Sequence, residues 1–311
     1  MHNLIRLYVL LGFVLISGVA IAGTVEQEQA DDIEDAKTPS TIVDLLPQEG
    51  ESPIVSEFWV MAENNGGENQ KFENYLRWSF KRTPDGYTIE TMSSSHGDRH
   101  ERDRLTFDKA GKLTGFQYIE WSATYKKTVV GYIDGDLWVT AYRSGDSAHN
   151  LDGLGWAGAE LRVKQYAANE QLGLGLPIQC APLVVAYHIR HSNLGYELPW
   201  VRNVTGRFKI KGDTVVEAVG QEQIQHAGQA VESHVLKIAS GKPGTDIFDE
   251  NNRYAVQMVG SFLPDGSLIG LRIKGAGGYK QTAQWATREE VVKKFKLDLG
   301  AVPELPVLPG E

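Results

Sequence analysis

The amino-acid sequence predicts a mainly β protein, an antiparallel meander that curves into a half-barrel or an open barrel. Two observations support this fold class. Apolar and polar side chains alternate with period two along much of residues 206–285, as in residues 207–211, where Phe208 and Ile210 fall on one face. Turns rich in Asp and Gly separate the alternating runs. We expect one or two β regions, a short linking helical segment and a C-terminal helix.

The C-terminal β region is predicted over residues 200–300. After a turn at Gly212, residues 214–219 return as a β-branched run, and residues 231–238 follow the break at Gly228. A turn at residues 264–267 then joins two further alternating runs. If the curved sheet leaves an apolar groove, its candidate lining residues are Phe208, Ile210, Tyr254, Val256, Met258, Ile269 and Leu271.

The N-terminal β region is predicted over residues 54–145. Leu76, Trp78 and Phe80 alternate with polar residues, and a Thr-Pro-Asp-Gly turn at residues 83–86 leads into a return strand. Similar hairpins surround the turns at residues 109–112 and 134–136. The hairpin unit recurs, but at irregular spacing, so neither a solenoid nor a propeller is predicted.

Residues 146–199 interrupt the strands and are predicted to form a loop and helical connection. Residues 159–171 contain helix formers and precede Gly173. Residues 182–191 fit a strand or a short helix, and the length of the run together with Pro182 near its start favours the helix.

The C-terminal helix is predicted from a capping box in which Thr287 and Glu290 satisfy each other's backbone amides. The tail, residues 301–311, contains three prolines, and we expect it to be extended and mobile.

Composition limits the function classes. The chain has 311 residues, of which 41% are hydrophobic, so a packed core is expected. A formal charge of −9 argues against non-specific nucleic-acid binding and against an anionic membrane surface. The single cysteine, Cys180, excludes an intramolecular disulfide.

Residues 1–22 predict a secretory signal peptide. Arg6 provides positive charge, residues 7–19 are apolar, and residues 20–22 form a small-x-small cleavage site. We therefore expect a periplasmic or secreted protein; an uncleaved membrane anchor is the alternative. Residues 23–53 are acidic and without aromatic residues, which predicts a disordered linker.

A resemblance rests on five features. They are residues 181–190 (APLVVAYHIR), Gly212, Gly220, residues 227–235 (AGQAVESHV) and residues 263–268 (LPDGSL). In this order they resemble a broad group of exported bacterial β-rich proteins of unknown function. In that group a short helix precedes a curved antiparallel sheet that is similar to the half-barrel of lipoprotein carriers. The resemblance implies fold and compartment, and it brings no catalytic residue.

Catalytic candidates are few. Cys180 could act as a nucleophile with His188, His191 or His234 as base, but its flanks are apolar and rigid, which favours a buried, inert thiol. No pair of carboxylates stands out for glycoside hydrolysis. One or two of the seven tryptophans could line a glycan or other ligand surface, although most Trp residues of a sheet protein lie in its core.

Metal binding is not expected. His96 and His100 are spaced i, i+4 in residues 96–104, but the three arginines of this segment would pair with its carboxylates, which favours a solvated hairpin connection. His188 and His191 have no third ligand nearby in the sequence. No cofactor is predicted.

The leading hypothesis is a non-catalytic, exported envelope protein that binds an apolar or lipid-like small molecule in its curved sheet. One alternative is an envelope hydrolase that acts on glycan or ester bonds. Another is a structural module that pairs with an envelope protein through its strand edges.

Overall fold

The computed structural model describes residues 41–65, 71–94, 99–146, 160–167, 176–191, 196–197, 200–202, 209–210, 213–241, 256–274 and 280–308. The strands are β1 Glu57–Asn65, β2 Lys71–Thr83, β3 Gly86–Ser94, β4 His100–Asp108, β5 Leu113–Trp121, β6 Tyr125–Asp134, β7 Leu137–Asp146, β8 Glu160–Ala167, β9 Leu176–Pro177, β10 Tyr196–Glu197, β11 Trp200–Arg202, β12 Lys209–Ile210, β13 Asp213–His226, β14 Gln229–Gly241, β15 Val256–Phe262, β16 Leu268–Lys274 and β17 Lys280–Ala286. Helix α1 spans Ala181–His191 and helix α2 spans Arg288–Phe295, while single 3-10 turns occupy Val43–Leu45 and Ile178–Cys180.

One large sheet contains fourteen of these strands. Its order is β10-β13-β14-β15-β16-β17-β1-β2-β3-β4-β5-β6-β7-β8, and every neighbouring pair is antiparallel. The predicted mainly β, antiparallel fold class is confirmed. Strand β17 pairs with β1, so the N-terminal and C-terminal β regions are parts of a single open sheet.

Most of the predicted hairpins are confirmed. The turns at residues 83–86, 109–112, 134–136 and 264–267 join β2 to β3, β4 to β5, β6 to β7 and β15 to β16. One pairing is wrong. Strand β12, with Ile210, belongs to a second sheet of order β12-β11-β9, so it does not form a hairpin with β13. Phe208 lies outside the described residues.

The connection at residues 146–199 was predicted to be helical in two places. The helix at residues 182–191 is confirmed as α1. The helix at residues 159–171 is wrong, because Glu160–Ala167 forms β8 and pairs with β7 along eight residues. Helix propensity is a weak preference, and the open edge of β7 offers backbone hydrogen bonds that outweigh it.

The inner face of the sheet, which we define as the face that packs on α1, carries the main core. Phe58 stacks on Trp78 at 5.5 Å between ring centroids, and Trp78 stacks on Phe80 at 6.5 Å. Helix α1 presents buried Leu183 and Val184 to this cluster. Gly266, at φ +87°, lets the β15–β16 turn approach α1 so closely that a Cβ there would lie 2.4 Å from the Pro182 carbonyl oxygen.

The N-terminal segment is part of this core. Ile42 and Leu45 are fully buried, and the Ile42 amide donates to the Gly111 carbonyl at 3.3 Å. Arg190 of α1 donates to the Leu45 carbonyl and pairs with Glu51 at 3.3 Å. The predicted disordered linker, residues 23–53, is therefore wrong for residues 41–53, where two apolar side chains bury enough surface to offset ordering. Residues 1–40 lie outside the described residues.

The outer face is covered by α2 and the chain that follows it. The predicted capping box is confirmed: Glu290 N donates to Thr287 Oγ1 at 3.2 Å, and Thr287 N donates to the Glu290 carboxylate at 2.8 Å. Val291 of α2 is buried in one cluster with Trp59 and Tyr75, and the centroid of the Phe295 ring lies 5.1 Å from that of the Tyr75 ring. Among the described residues, no helix is long and apolar enough to cross a membrane.

The C-terminal tail is extended as predicted, but residues 301–308 are packed on the sheet rather than free. Arg102 donates to the Pro303 carbonyl at 3.4 Å, and Gln117 donates to the Pro306 carbonyl at 2.9 Å. Leu308 is buried against Gly115, where a Cβ would lie only 2.6 Å from its Cδ1. Prolines prevent a helix here, but side-chain donors on the sheet still hold the backbone.

The packed tail yields a stability prediction. Leu308→Ala should lower the free energy of unfolding by ~2 kcal/mol, because it removes a buried side chain. The neighbouring Val307 is 70% exposed, so Val307→Ala should change stability by less than about 0.5 kcal/mol. Urea unfolding measured on both variants checks this; equal effects would mean that the tail is not docked.

Candidate ligand site on the inner face

The inner face changes character along the strands. Near α1 it is apolar, with Leu105 on β4 and Phe116 on β5 directly opposite each other. Further from α1 the same face becomes polar, because alternation places every second residue of a strand on one face. We call this second region the polar band. It consists of Arg99 just before β4, Glu101 and Asp103 at the start of β4, Tyr118 and Glu120 on β5, and Tyr125 and Lys127 on β6.

Both cations of the polar band and its buried Glu120 are engaged within the band. Glu120 is only 3% exposed, and its carboxylate accepts from Arg99 Nη1 and from the Tyr118 hydroxyl, each at 3.3 Å. The Arg99 guanidinium also lies 4.6 Å from the centroid of the Tyr125 ring. Lys127 Nζ lies 5.5 Å from the centroid of the Tyr118 ring. Each cation of the band thus faces a carboxylate or the face of an aromatic ring.

Asp103 is the most unusual carboxyl group of the band. It is 8% exposed, and Gln179 Nε2 donates to its Oδ2 at 3.2 Å. Burial raises the pKa of Asp103 to about 6, although hydrogen bonds from Gln179 and Thr91 act in the opposite direction. Near pH 6 this buried group therefore exchanges its proton.

Gln179 links the polar band to the helix above the apolar region. Its backbone carbonyl accepts from Trp78 Nε1 at 2.8 Å, while its side chain reaches Asp103. Cys180 and then α1 follow directly in the sequence. One residue thus holds the start of the helix against both parts of the inner face.

Asn74 is a further polar group on the inner face. It lies opposite Ala62 on β1 and is 1% exposed, yet neither atom of its amide has a hydrogen-bond partner among the described residues. Asn74 is two residues from Leu76 on β2. Leu76 pairs with Ser93 on β3, and Ser93 pairs with Glu101 on β4. Asn74 therefore lies at the polar end of the inner face. Buried amides are rarely left without partners, so a water molecule or a ligand is expected to complete this one.

Four of the seven candidate lining residues lie on the neighbouring strands β15 and β16. Leu271 is buried in the core, and Ile269 next to it on β16 is half-buried. Val256 and Met258 lie on β15, and Ile210 lies in the second sheet. Phe208 and Tyr254 lie outside the described residues. That these residues line a ligand stays a prediction.

The cysteine and histidine candidates do not form a nucleophilic centre. Cys180 is fully buried, and burial raises the pKa of its thiol, which agrees with the predicted inert role. His188 is buried on α1, while His191, on the same helix, lies 4.0 Å from Glu51. His234 is on β14, in another part of the sheet.

The segment of residues 96–104 differs from its prediction. Residues 100–108 form β4 instead of a solvated connection, and Arg102 and Arg104 point to the outer face, where both bind Glu90 at 3.1 Å. Burial raises the pKa of Glu90, but these arginines hold it below its usual value. Asp103 points to the inner face, so it does not pair with its neighbours in sequence.

Sequence reasoning expected Asp103 to pair with the neighbouring arginines and did not single out Glu120. A signal was present. Asp103 is two residues from Leu105 and four from Phe107, and Glu120 is two residues from Tyr118 and four from Phe116. In a strand these spacings place the side chains on the same face. Extending the alternation by one step predicts both carboxylates on the apolar face.

This chain is similar to a β-barrel-like protein. That protein is described as a "beta-barrel-like protein of domain of unknown function DUF1849" from Brucella abortus. The two chains are 8% identical, with a TM-score of 0.47, and the match covers 74% of this chain and 95% of that chain. No protein-family model and no curated protein matches the sequence.

The raised pKa of Asp103 predicts a pH-dependent stability. The folded protein holds the Asp103 proton more tightly than the unfolded chain, so this contribution is full below about pH 4 and is lost as the pH rises through about 6. Asp103→Asn keeps an acceptor for Gln179 and removes the buried charge. At pH 7.5 the variant should be more stable by ~1–3 kcal/mol and show a flatter pH profile.

Chemical denaturation between pH 4 and pH 7.5 measures this effect. Asp108→Asn, on the same strand, is the control, because the Asp108 carboxylate is at the turn and accepts from Lys112 N at 2.9 Å. That change should not stabilise the protein. A parallel shift of the Asp103→Asn profile, with unchanged slope, would show that Asp103 is not the titrating group.

Proposed function

We propose that this protein is an exported envelope protein that binds a lipid-like, apolar ligand between the inner face of its sheet and helix α1. The observation that carries the proposal is the way in which this apolar surface is covered. Its aromatic residues lie beneath one helix and the N-terminal segment, both of which lie outside the hydrogen-bonded ladder of the sheet. Removing a strand would break a whole ladder of hydrogen bonds, whereas α1 can separate from the sheet without that loss.

The first part of helix α1 is apolar, and its residues 181–186 are all buried. The last turn is polar, and Arg190 and His191 lie near Glu51 of the N-terminal segment. An apolar helical segment needs an apolar partner on every side. An acyl chain could take the place of α1 on the sheet, because it would cover the same aromatic side chains.

Gln179 provides the contact that a ligand would have to release. Trp78 Nε1 donates to its carbonyl and its amide reaches Asp103, so both bonds must break when the start of α1 lifts. A net hydrogen bond contributes about 0.5–1.5 kcal/mol. The closed state, in which α1 is packed on the sheet, is therefore favoured. A ligand of moderate affinity can still shift the population to the open state, in which the start of α1 has lifted from the sheet.

The buried carboxyl groups favour a second candidate, an envelope hydrolase. Asp103 and Glu120 are diagonal neighbours across β4 and β5, and such neighbours lie roughly 7–8 Å apart. Glycoside hydrolysis uses two carboxyl groups that flank the scissile bond, one as the acid and the other as the base or nucleophile. Glycan or ester cleavage by the purified protein that is lost in both Asp103→Asn and Glu120→Gln would favour this candidate over ligand binding.

Export rests on the sequence of residues 1–22 alone. We expect the protein to be recovered from the cell envelope or the medium with Gly23 as its first residue. Fractionation followed by N-terminal sequencing measures this. A chain that begins at Met1 in the membrane fraction would support the uncleaved anchor instead.

If the ligand binds beneath α1, a change that weakens the contact between α1 and the sheet should lower stability but raise ligand affinity. Trp78→Phe removes the bond to the Gln179 carbonyl while keeping an aromatic ring, so the protein should lose ~1 kcal/mol of stability. The same change raises the population of the open state. It should therefore bind a fatty-acid or fluorescent apolar probe several-fold more tightly than the unchanged protein does.

The control is Trp59→Phe on the outer face. Trp59 Nε1 donates to Glu57 Oε1 at 2.8 Å, so this variant loses a similar bond that does not involve α1. It should be destabilised without a gain in probe affinity. If neither the unchanged protein nor Trp78→Phe binds an apolar probe in fluorescence titration or native mass spectrometry, the proposed function fails.

A further inference from the structure

We infer that the polar band and Asn74 hold the head group of the ligand, and that this head group is neutral and rich in hydroxyl groups. The inference rests on the proposed function and adds the chemical class of the ligand. A sugar or glycerol head on an alkyl chain has this chemistry. An anionic or cationic head group of the same size does not fit the site as well.

The position of the band joins it to the apolar surface. On β5, Phe116 and Tyr118 lie on the inner face and Glu120 follows on the same face two residues later. Glu120 is four residues beyond Phe116, a span of about 13 Å along a strand. An alkyl chain that packs on Phe116 under α1 and crosses Tyr118 therefore brings its polar end next to Glu120.

The charges of the band favour a neutral group. Arg99 is bound to Glu120, and Lys127 lies over the ring of Tyr118. A phosphate or carboxylate head would have to displace Glu120 from Arg99 and leave that buried carboxylate beside a second negative charge. A quaternary ammonium would meet Arg99 and Lys127 at the edge of the band. Both cations of the band already face a carboxylate or an aromatic ring among the described residues, so a charged head group would compete with these contacts.

The buried neutral group at the same end favours hydroxyls. Asn74 offers two donors and one acceptor, and none of them is used within the described residues. A hydroxyl both donates and accepts, so different hydroxyls of one head group can bind the amide on β2 and a carboxylate on β4. The half-buried Glu101 and the ring of Tyr125 border the same region. Planar polar side chains beside aromatic rings suit a polyhydroxylated ring.

The test compares amphiphiles that share one alkyl chain. Octyl β-D-glucoside, octyl phosphate, octyltrimethylammonium and 1-octanol are titrated into the full mature protein below their micelle concentrations, and binding is measured by calorimetry. We expect the glucoside to bind at least ten-fold more tightly than either charged amphiphile. It should also bind more tightly than octanol, which lacks the sugar.

Substitutions in the polar band test which residues bind the head group. Glu120→Gln should weaken glucoside binding about ten-fold and leave octanol binding unchanged. Glu101→Gln should have the same effects, and it is less disruptive to the fold because Glu101 is only half-buried. Glu57→Gln is the matched control, because Glu57 pairs with Arg77 on the outer face at 2.6 Å; it should affect neither ligand. Thermal unfolding shows that each variant is folded before its binding is compared.

The outcomes separate the two proposals. If no amphiphile and no apolar probe binds, both the proposed function and this inference are overturned. If octanol binds and the phosphate or the ammonium binds as tightly as the glucoside, the head-group class is overturned while the proposed function stands. If the glucoside is preferred but both carboxylate variants keep that preference, the hydroxyl site lies elsewhere and this assignment is overturned.

Discussion

The antiparallel pairing of β1 with β17 is the interaction on which the rest of the structure depends. It joins strands that are more than two hundred residues apart in the sequence, in a register that runs from Trp59 opposite Ala286 to Asn65 opposite Lys280. This register assigns the two faces, since Val60 and Trp285 share the inner face while Trp59 and Ala286 share the outer one. A slip of one residue would exchange the faces and bury the wrong side chains.

Both faces of the sheet acquire their covers from this pairing. Helix α2 follows β17 directly, so the register that orders β17 also places Val291 and Phe295 over the outer-face residues Trp59 and Tyr75. The same sheet presents Trp78 and Asp103 together on the inner face, where Gln179 binds both. The apolar region and the polar band are thus two parts of one surface.

Asp103 shows how this fold creates unusual chemistry without a motif. In the sequence it stands between two arginines, and ordinary ion pairing would explain all three residues. In the strand the arginines point outward to Glu90 and the carboxylate points inward, away from them. Its pKa rises because alternation buries the carboxyl group, which disfavours its charged form, and the hydrogen bond from Gln179 acts in the opposite direction. The raised pKa is a result of strand geometry.

The sequence by itself determined the fold class, the hairpin turns, helix α1 and the capping box of α2, because each depends on neighbours within a few residues. Alternation and turn residues act locally, and so do Thr287 and Glu290. It did not determine that Glu160–Ala167 is a strand, that Ile210 belongs to a second sheet, or that Ile42, Leu45 and Leu308 are buried. Only the tertiary structure decided these points, since a strand partner or a cover for an apolar side chain lies far away in the chain. The polar band is of the same kind: its members come from three strands, and their meeting depends on a register that no single segment encodes.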